Sequence, residues 1–275
     1  MDTITVLFPV CNESKVEIKR SLDSIRKQTH TQLQIIITVD NPKNKAAIAY
    51  LKGIKDRRIE LTINTTNFGL ARNLDTMLAK SKGAFIARMD ADDYAHPTRF
   101  VKQHTFLKKS KVDYCFCWVT IVDQKYKYIR TMQKPQHKYK HIKKWYFVED
   151  LCVHPALMAK AHPFIQDGYD PSFIRSQDYE LWLRAIPKRT FGVVEEVLLD
   201  YTVSDQKDAK RRIQKMFTNN KMRLRALFKH MSTYSGNLGF WKIYIHTVCL
   251  FIVLRFPTWL LVQLIKFKDG VSSKR

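Results

Sequence analysis

The sequence predicts an α/β fold built on a mainly parallel sheet flanked by helices, followed by a helical extension. Three observations carry this. Short β-rich runs alternate with helical stretches from Ile4 to Arg88, acidic residues gather where three of those runs end, and residues 205–275 hold 15 Lys and Arg against 3 Asp and Glu. Strand and helix in strict alternation is the pattern of βαβ units.

The elements follow in order. "ITVLFPV", "LQIIITV", "IELTI" and "AFIA" read as strands, and "SKVEIKRSLDSIRKQ", "NKAAIAYLKGI" and "LARNLDTMLAKSKG" as the helices between them. In the first helix Val16, Leu22 and Ile25 fall near one face while Lys19, Arg20 and Lys27 reach solvent. Gly83 stands where a glycine would end the third helix. Beyond residue 112, "VDYCFCWVTIV" reads as a buried strand, "KPQHKYKHIKKW" as a basic, aromatic-bearing loop, and "CVHPALMA" as another strand. "DGYDPSFIRSQDYELWLRAI" is a turn-rich entry to a helix beginning near Ser176. Residues 205–231 read as a basic helix. The expected organisation is an α/β domain over 1–204, with halves 1–100 and 101–204, and a basic amphipathic extension over 205–275.

Composition narrows the classes. With 275 residues and 45% apolar content the chain buries a substantial core. The five cysteines include no C-x-x-C pair and are odd in number, so reduced thiols and a cytosolic setting are expected. "MDTITVLFPV" reads as a strand and not as a secretory signal. The net charge of +23 has two ordinary targets, nucleic-acid phosphates and anionic lipid head groups. "HKYKHIKKWY" sets aromatics among lysines, the feature behind a nucleic-acid-binding alternative. No nucleic-acid-binding motif accompanies it, and such a protein has no need of ordered acids in its first 100 residues. A nucleotidyltransferase would carry a glycine-rich phosphate loop, which is missing. A non-catalytic membrane scaffold is the third alternative.

Parallel sheets bind ligands at the carboxyl ends of their strands. Pro9 to Glu13, Asp40, and Asp90 with Asp92 all fall there. "ARMDADDYAHP" places Asp90, Asp92 and Asp93 within four positions, and crowded carboxylates are tolerated most easily where a cation neutralises them. Its bland counterpart is a solvated turn in which Asp93 or Thr98 caps the next helix.

"FPVCNE", "VD" at Val39–Asp40, "NFGLARN", "FIARMDADD" and "SQDYELWLR", in this order over roughly residues 1–200, closely resemble family 2 glycosyltransferases of the GT-A (Rossmann-like) fold. The resemblance implies an inverting enzyme that moves a sugar from a nucleoside diphosphate donor, commonly a UDP-sugar, to an acceptor hydroxyl. By that pattern Asp92 is the metal ligand, for Mn2+ or Mg2+, and Asp90 contacts the nucleoside or the metal shell. Pro9, Asn12 and Glu13 belong to the nucleotide site. Asp40 recognises the nucleobase, Arg72 contacts the nucleotide, and Asp178 is the general base. The family's usual D-D-G-S run is "DNPK" here, so the second acid is absent. Each assignment has an ordinary counterpart: a turn with Asn41 and Pro42 for Asp40, an exposed helical arginine for Arg72, a helix-dipole acid for Asp178. Glu180 reads as a solvated or structural neighbour, and His154 as a structural histidine or an acceptor-side residue.

Ile243 to Ile265 is apolar but carries His246, Arg255 and Pro257. An arginine at bilayer centre costs roughly 2.5–3.5 kcal/mol on insertion scales, so the run reads as two amphipathic pieces lying in the interface. Trp241, Tyr244 and Trp259 serve as anchors, and packing on the catalytic domain is the alternative. The expected partners are thus a nucleotide-sugar donor, a glycan or lipid-linked acceptor as in bacterial surface polysaccharide assembly, and an anionic membrane surface, with no nucleic acid. The expected location is cytoplasmic, peripheral on the inner face of the cell membrane.

Overall fold

The computed structural model describes residues 2–146, 151–203 and 209–253. The chain divides into two compact units, Met1–Val203 and Ser204–Arg275.

In the first unit β1 (Ile4–Val10), β2 (Leu33–Val39), β3 (Ile59–Ile63) and β4 (Phe85–Arg88) pair in parallel in the order β3-β2-β1-β4. β1 and β2 are buried at every position because helices cover both faces of a parallel sheet. Those helices are α1 (Lys15–Arg26), α2 (Lys45–Lys52) and α3 (Leu70–Ala79). α1 opens on a capping box between Ser14 and Glu17, and Asn44 caps α2 through the Ala47 amide. The β1–β4 ladder stops at Leu7 and Arg88, short of Pro9, whose ring has no N–H to give. The segment leading to Asp90 leaves the sheet there, while β1 stays paired with β2 to Val10 before the turn that carries Glu13.

The remaining strands extend the sheet as β4-β8-β6-β9-β5, giving nine strands among the described residues. β5 (Tyr94–Ala95) and β8 (Met158–Lys160) run antiparallel to their neighbours, while β6 (Tyr114–Val122) and β9 (Phe191–Thr202) pair in parallel. β7 (Tyr128–Met132) hangs on β6 beside β8's position. α4 (Arg99–Lys109), α5 (Gln136–Lys140), α6 (Ile142–Trp145), α7 (Ala161–Asp167) and α8 (Gln177–Ala185) complete this unit.

Several local expectations need correction. Val16 is exposed, and Ile18 takes its place beside Leu22 and Ile25, because the buried stripe of α1 follows the 18, 22, 25 spacing and Val16 lies on the opposite face. Arg20 is half-buried, its guanidinium 4.9 Å from the Tyr94 ring centre and 4.0 Å from that of Tyr126. α3 ends at Ala79, so Gly83 is not its cap. A Cβ on Gly83 would lie 2.7 Å from the Thr3 carbonyl and the Thr5 amide, and glycine is needed for that close passage into β4. The basic loop is two short helices, α5 and α6. "CVHPALMA" contains a 3₁₀ turn, His154–Ala156, before β8, because Pro155 interrupts strand pairing.

The second unit contains α9 (Ala209–Lys229), α10 (Met231–Tyr234) and α11 (Leu238–Val253). Phe217 stacks on Phe251 at 5.3 Å, and the Asn220 amide donates to the Thr247 carbonyl at 2.8 Å. Leu238, Ile245, Ile252 and Val253 are exposed along α11. Among the described residues no helix is long and apolar enough to cross a membrane. The break at Arg255 and Pro257, and the anchor Trp259, lie outside the described residues.

Candidate active site

The carboxyl ends of β1, β2 and β4 deliver the predicted acids to one edge of the sheet. The oxygens of Asp90, Asp92 and Asp93 lie within 4.8 Å of one another. Their loop is tied from two sides. From α1, Ser21 donates to the Asp90 carbonyl at 2.8 Å and Arg20 reaches the Asp92 carbonyl at 3.4 Å. From β9, the Thr202 hydroxyl donates to the Asp92 carbonyl at 2.7 Å and the Thr202 amide to Asp93 at 2.8 Å. Asp93 therefore caps no helix. It is fully buried, and its second carboxylate oxygen has no partner.

The electrostatics are those of crowding. Burial, then the charges of Asp90 and Glu13, push the Asp92 carboxyl up to about 7. Asp93 is raised well above the carboxylate range by the same two causes, burial and its neighbours Asp90 and Asp92. Burial likewise raises Glu13, with Asp90 adding to it, although Glu13 accepts the Cys11 amide at 2.6 Å. The compensating cation within the fold is Arg88, itself buried, whose guanidinium pairs with Asp90 while Nε and Nη1 are left without partners. Three carboxylates, one with an orphaned buried oxygen, fit a hard divalent cation, which takes oxygen ligands from few carboxylates plus substrate.

Asp40 behaves differently. Its carboxylate accepts the Asn64 amide at 2.9 Å and the backbone N–H groups of Phe68 at 2.8 Å and Gly69 at 3.0 Å. It thereby holds the turn that starts α3, where Gly69 has φ 86°. Three donors leave one of its four lone pairs for another N–H. Arg72 is exposed, its guanidinium 4.7 Å from the centre of the Phe68 ring. Asn12 accepts the Asn41 side-chain amide at 2.7 Å, and Pro9 lies in β1 opposite Thr38.

Asp178 is half-exposed in the first turn of α8 and accepts the Tyr179 amide at 2.8 Å. Ser176, just before the helix, has φ 55°, an uncommon conformation for a non-glycine residue. Glu180 is fully buried and paired through both oxygens to Arg184 at 2.9 Å, so it is structural and not solvated. His154 is buried against the Tyr169 hydroxyl at 2.6 Å. Burial, with Arg88 nearby, drives its protonation well below the ordinary range, so it is a neutral packing histidine. Burial raises Tyr169 far above its usual range, and the charges that act on it include Arg88, Asp178 and Asp90. Arg88, Ser21, Thr202 and Tyr169 were not anticipated. A basic residue inside an apolar strand, two positions before an acid, is the signal for Arg88.

An acid cluster at the carboxyl edge of a mixed, mainly parallel sheet is the arrangement of GT-A glycosyltransferases. The pattern of glycosyl transferase family 2 matches residues 5–164, and the chain belongs to that family. It is similar to an uncharacterised glycosyltransferase of Methanocaldococcus jannaschii, 35% identical over 272 residues, covering 97% of this chain and 93% of that protein. The O-antigen biosynthesis glycosyltransferase WbnJ of Escherichia coli is 28% identical over 215 residues, 76% of this chain and 83% of that one. Among solved structures, residues 1–349 of TarS from S. aureus, crystallised with UDP, align with a TM-score of 0.57 at 15% identity, covering 86% of this chain and 73% of theirs. That likeness shows the shared fold.

Proposed function

We propose that this glycosyltransferase moves a sugar from a UDP-sugar, with inversion, to a hydroxyl of a lipid-linked or membrane-proximal glycan in surface polysaccharide assembly. The observation that carries it is the convergence of Asp90, Asp92 and Asp93 within 4.8 Å at the ligand-binding edge of the sheet. Relatives named for O-antigen and amylovoran biosynthesis support the polysaccharide setting, and the TarS structures solved with UDP and with UDP-GlcNAc support the nucleotide.

In this reading Asp92, with Asp90, holds Mn2+ or Mg2+. Such an ion, when bound, stabilises charge on the diphosphate leaving group. Arg88 keeps Asp90 in place, while Ser21, Arg20 and Thr202 fix the loop's carbonyls so that the carboxylates stay clustered. Asp40 orders the Phe68–Gly69 turn and keeps one acceptor for a nucleobase N–H, with Pro9, Asn12, Glu13 and Arg72 around the nucleotide. Asp178 accepts the acceptor hydroxyl's proton, because a neutral hydroxyl is a weak nucleophile.

Asp178→Asn keeps shape and removes basicity. Transfer from a UDP-sugar falls by about 10²-fold to 10⁴-fold while UDP binding is nearly preserved. Normal transfer in that variant assigns the base elsewhere. A donor panel of UDP-, GDP- and dTDP-sugars, scored for metal-dependent binding, tests the nucleoside.

The tail from about residue 205 holds the enzyme on the cytoplasmic face of an anionic membrane. Its basic residues and the exposed apolar side chains of α11 support this. High salt releases part of the protein from membranes and alkaline carbonate releases more. Retention through carbonate with protease protection near residues 243–265 shows a spanning helix instead.

A further inference from the structure

One crevice of the first unit, about 750 Å³, is not at the acids. It lies at the opposite edge of the sheet. Tyr114, the first residue of β6, pairs with Ala159 of β8, which in turn pairs with Ile86 early in β4. The crevice is walled by residues before Tyr114 and at the start of β9, and so sits at the strand starts. The "KPQHKYKHIKKW" segment, which the proposed reaction leaves unused, forms one wall as α5 and α6.

The floor is apolar: Phe106, Val112, Ile142, Ile186 and Phe191. The wall is firmly built. The Gln136 side-chain oxygen accepts the Val193 backbone N–H at 2.7 Å, and the Gln136 backbone N–H donates to Glu195 at 2.7 Å. Buried Tyr139 donates to the Leu151 carbonyl at 2.7 Å and stacks on Phe116 at 5.8 Å. Phe106 sits over Gly192, where a Cβ would lie 2.7 Å from its ring.

The rim is cationic. Lys111 and Lys140 line it with Arg189, and no carboxylate is among its described lining residues. Nearby acids among the described residues are directed elsewhere: Asp113 to Thr190, Glu195 to the backbone N–H of Gln136, and Asp167 to Arg189, which it neutralises. An apolar floor under a rim of lysines complements a molecule with a phosphate head and a short hydrocarbon body. Phosphate alone leaves the floor wet, and a neutral hydrocarbon leaves the lysines unmatched.

We infer that this crevice is a binding site for an acidic phospholipid of the membrane, separate from the nucleotide-sugar site. The inference does not depend on which donor or acceptor the enzyme uses. β6 spans nine residues, so at about 3.3 Å per residue the crevice and the acid edge are separated by roughly the height of the sheet. A lipid held in the crevice leaves the acid edge open to acceptor.

Calorimetric titration of the full chain with dihexanoyl phosphatidic acid, below its micellar concentration, tests this. One molecule is expected to bind, with affinity rising from the dibutanoyl to the dihexanoyl form, and inorganic phosphate is expected to bind far more weakly. Lys111→Ala combined with Lys140→Ala lowers the affinity on the order of tenfold or more at low salt, with UDP binding unchanged. Equal affinity in the double variant places lipid binding elsewhere and overturns the assignment. So does inorganic phosphate that binds as tightly as the amphiphile. Single-stranded RNA that binds through these two lysines more tightly than the lipid does identifies a nucleic-acid surface and also overturns it. A variant that loses UDP binding as well is replaced by Lys140→Gln alone, judged by the same ratio of lipid to UDP affinity.

Discussion

The ends of β2 and β4 are separated by one strand, β1, and both carry aspartates, yet they have opposite physical characters. Asp40 accepts three N–H groups and organises a turn. Asp90, Asp92 and Asp93 face one another, with Arg88 as the paired cation and an orphaned Asp93 oxygen. One acid is satisfied by the fold; the other three are held in a state that a cation would relieve. Charge at a strand end therefore says little until its donors are counted.

The sharpest test of the contrast removes the cation. Arg88→Met leaves half-buried Asp90 among like charges and costs about 3 kcal/mol, read by urea unfolding. Mn2+ restores part of that loss if the cluster lacks positive charge, and an unresponsive variant breaks the comparison.

Next comes Asp92→Asn. Metal-dependent UDP affinity falls about 10²-fold, since one carboxylate charge is lost from a site that has few, with the fold intact by circular dichroism. Unchanged metal-dependent affinity rejects Asp92 as a ligand.

Asp40→Ala acts through the fold. Two backbone N–H groups lose their acceptor, a cost of about 2–3 kcal/mol, measured by the same unfolding titration and independent of metal. Metal sensitivity here would erase the distinction between the two strand ends.

The smallest effect is graded with pH. The Asp92 carboxyl, pushed up to about 7 in the fold from an ordinary 3.8, favours the protonated folded state. The stability it contributes is complete below pH 3.8 and is lost as pH rises to about 7, with Glu13 and Asp93 acting in the same direction. Metal-free protein should therefore melt lower at pH 8 than at pH 5. Mn2+, which needs the ionised form, should reverse the trend and bind about tenfold more weakly per pH unit below 7. Asp92→Asn should flatten both curves.

Much of the first half was legible. The parallel strands announced themselves as continuous apolar runs, and "DADD" at a strand end marked the acid cluster. The helix at "SQDYELWLR" was visible because its turn residues and its apolar period coincide. Harder were β7 and β9. Tyr128 and Ile129 stand exposed on β7, and β9 carries "VVEEVLL", whose two exposed glutamates break the strand alternation where the pairing with β6 shifts register. The basic segment at 134–145 hid two helices because neither is long enough to show a period.

What the sequence determined by itself was the order of elements, the edge at which the acids emerge, and the charge difference between the acid cluster and the tail. Those depend on local periodicity and on the rule that successive parallel strands end on one side. Tertiary structure alone decided which acids are satisfied. Asp40 meets the amides of Phe68 and Gly69, Glu180 meets Arg184, and Asp93 is sealed under Thr202. A carboxylate's character is set by the donors and the water around it, and these come from chain segments as many as 109 residues away.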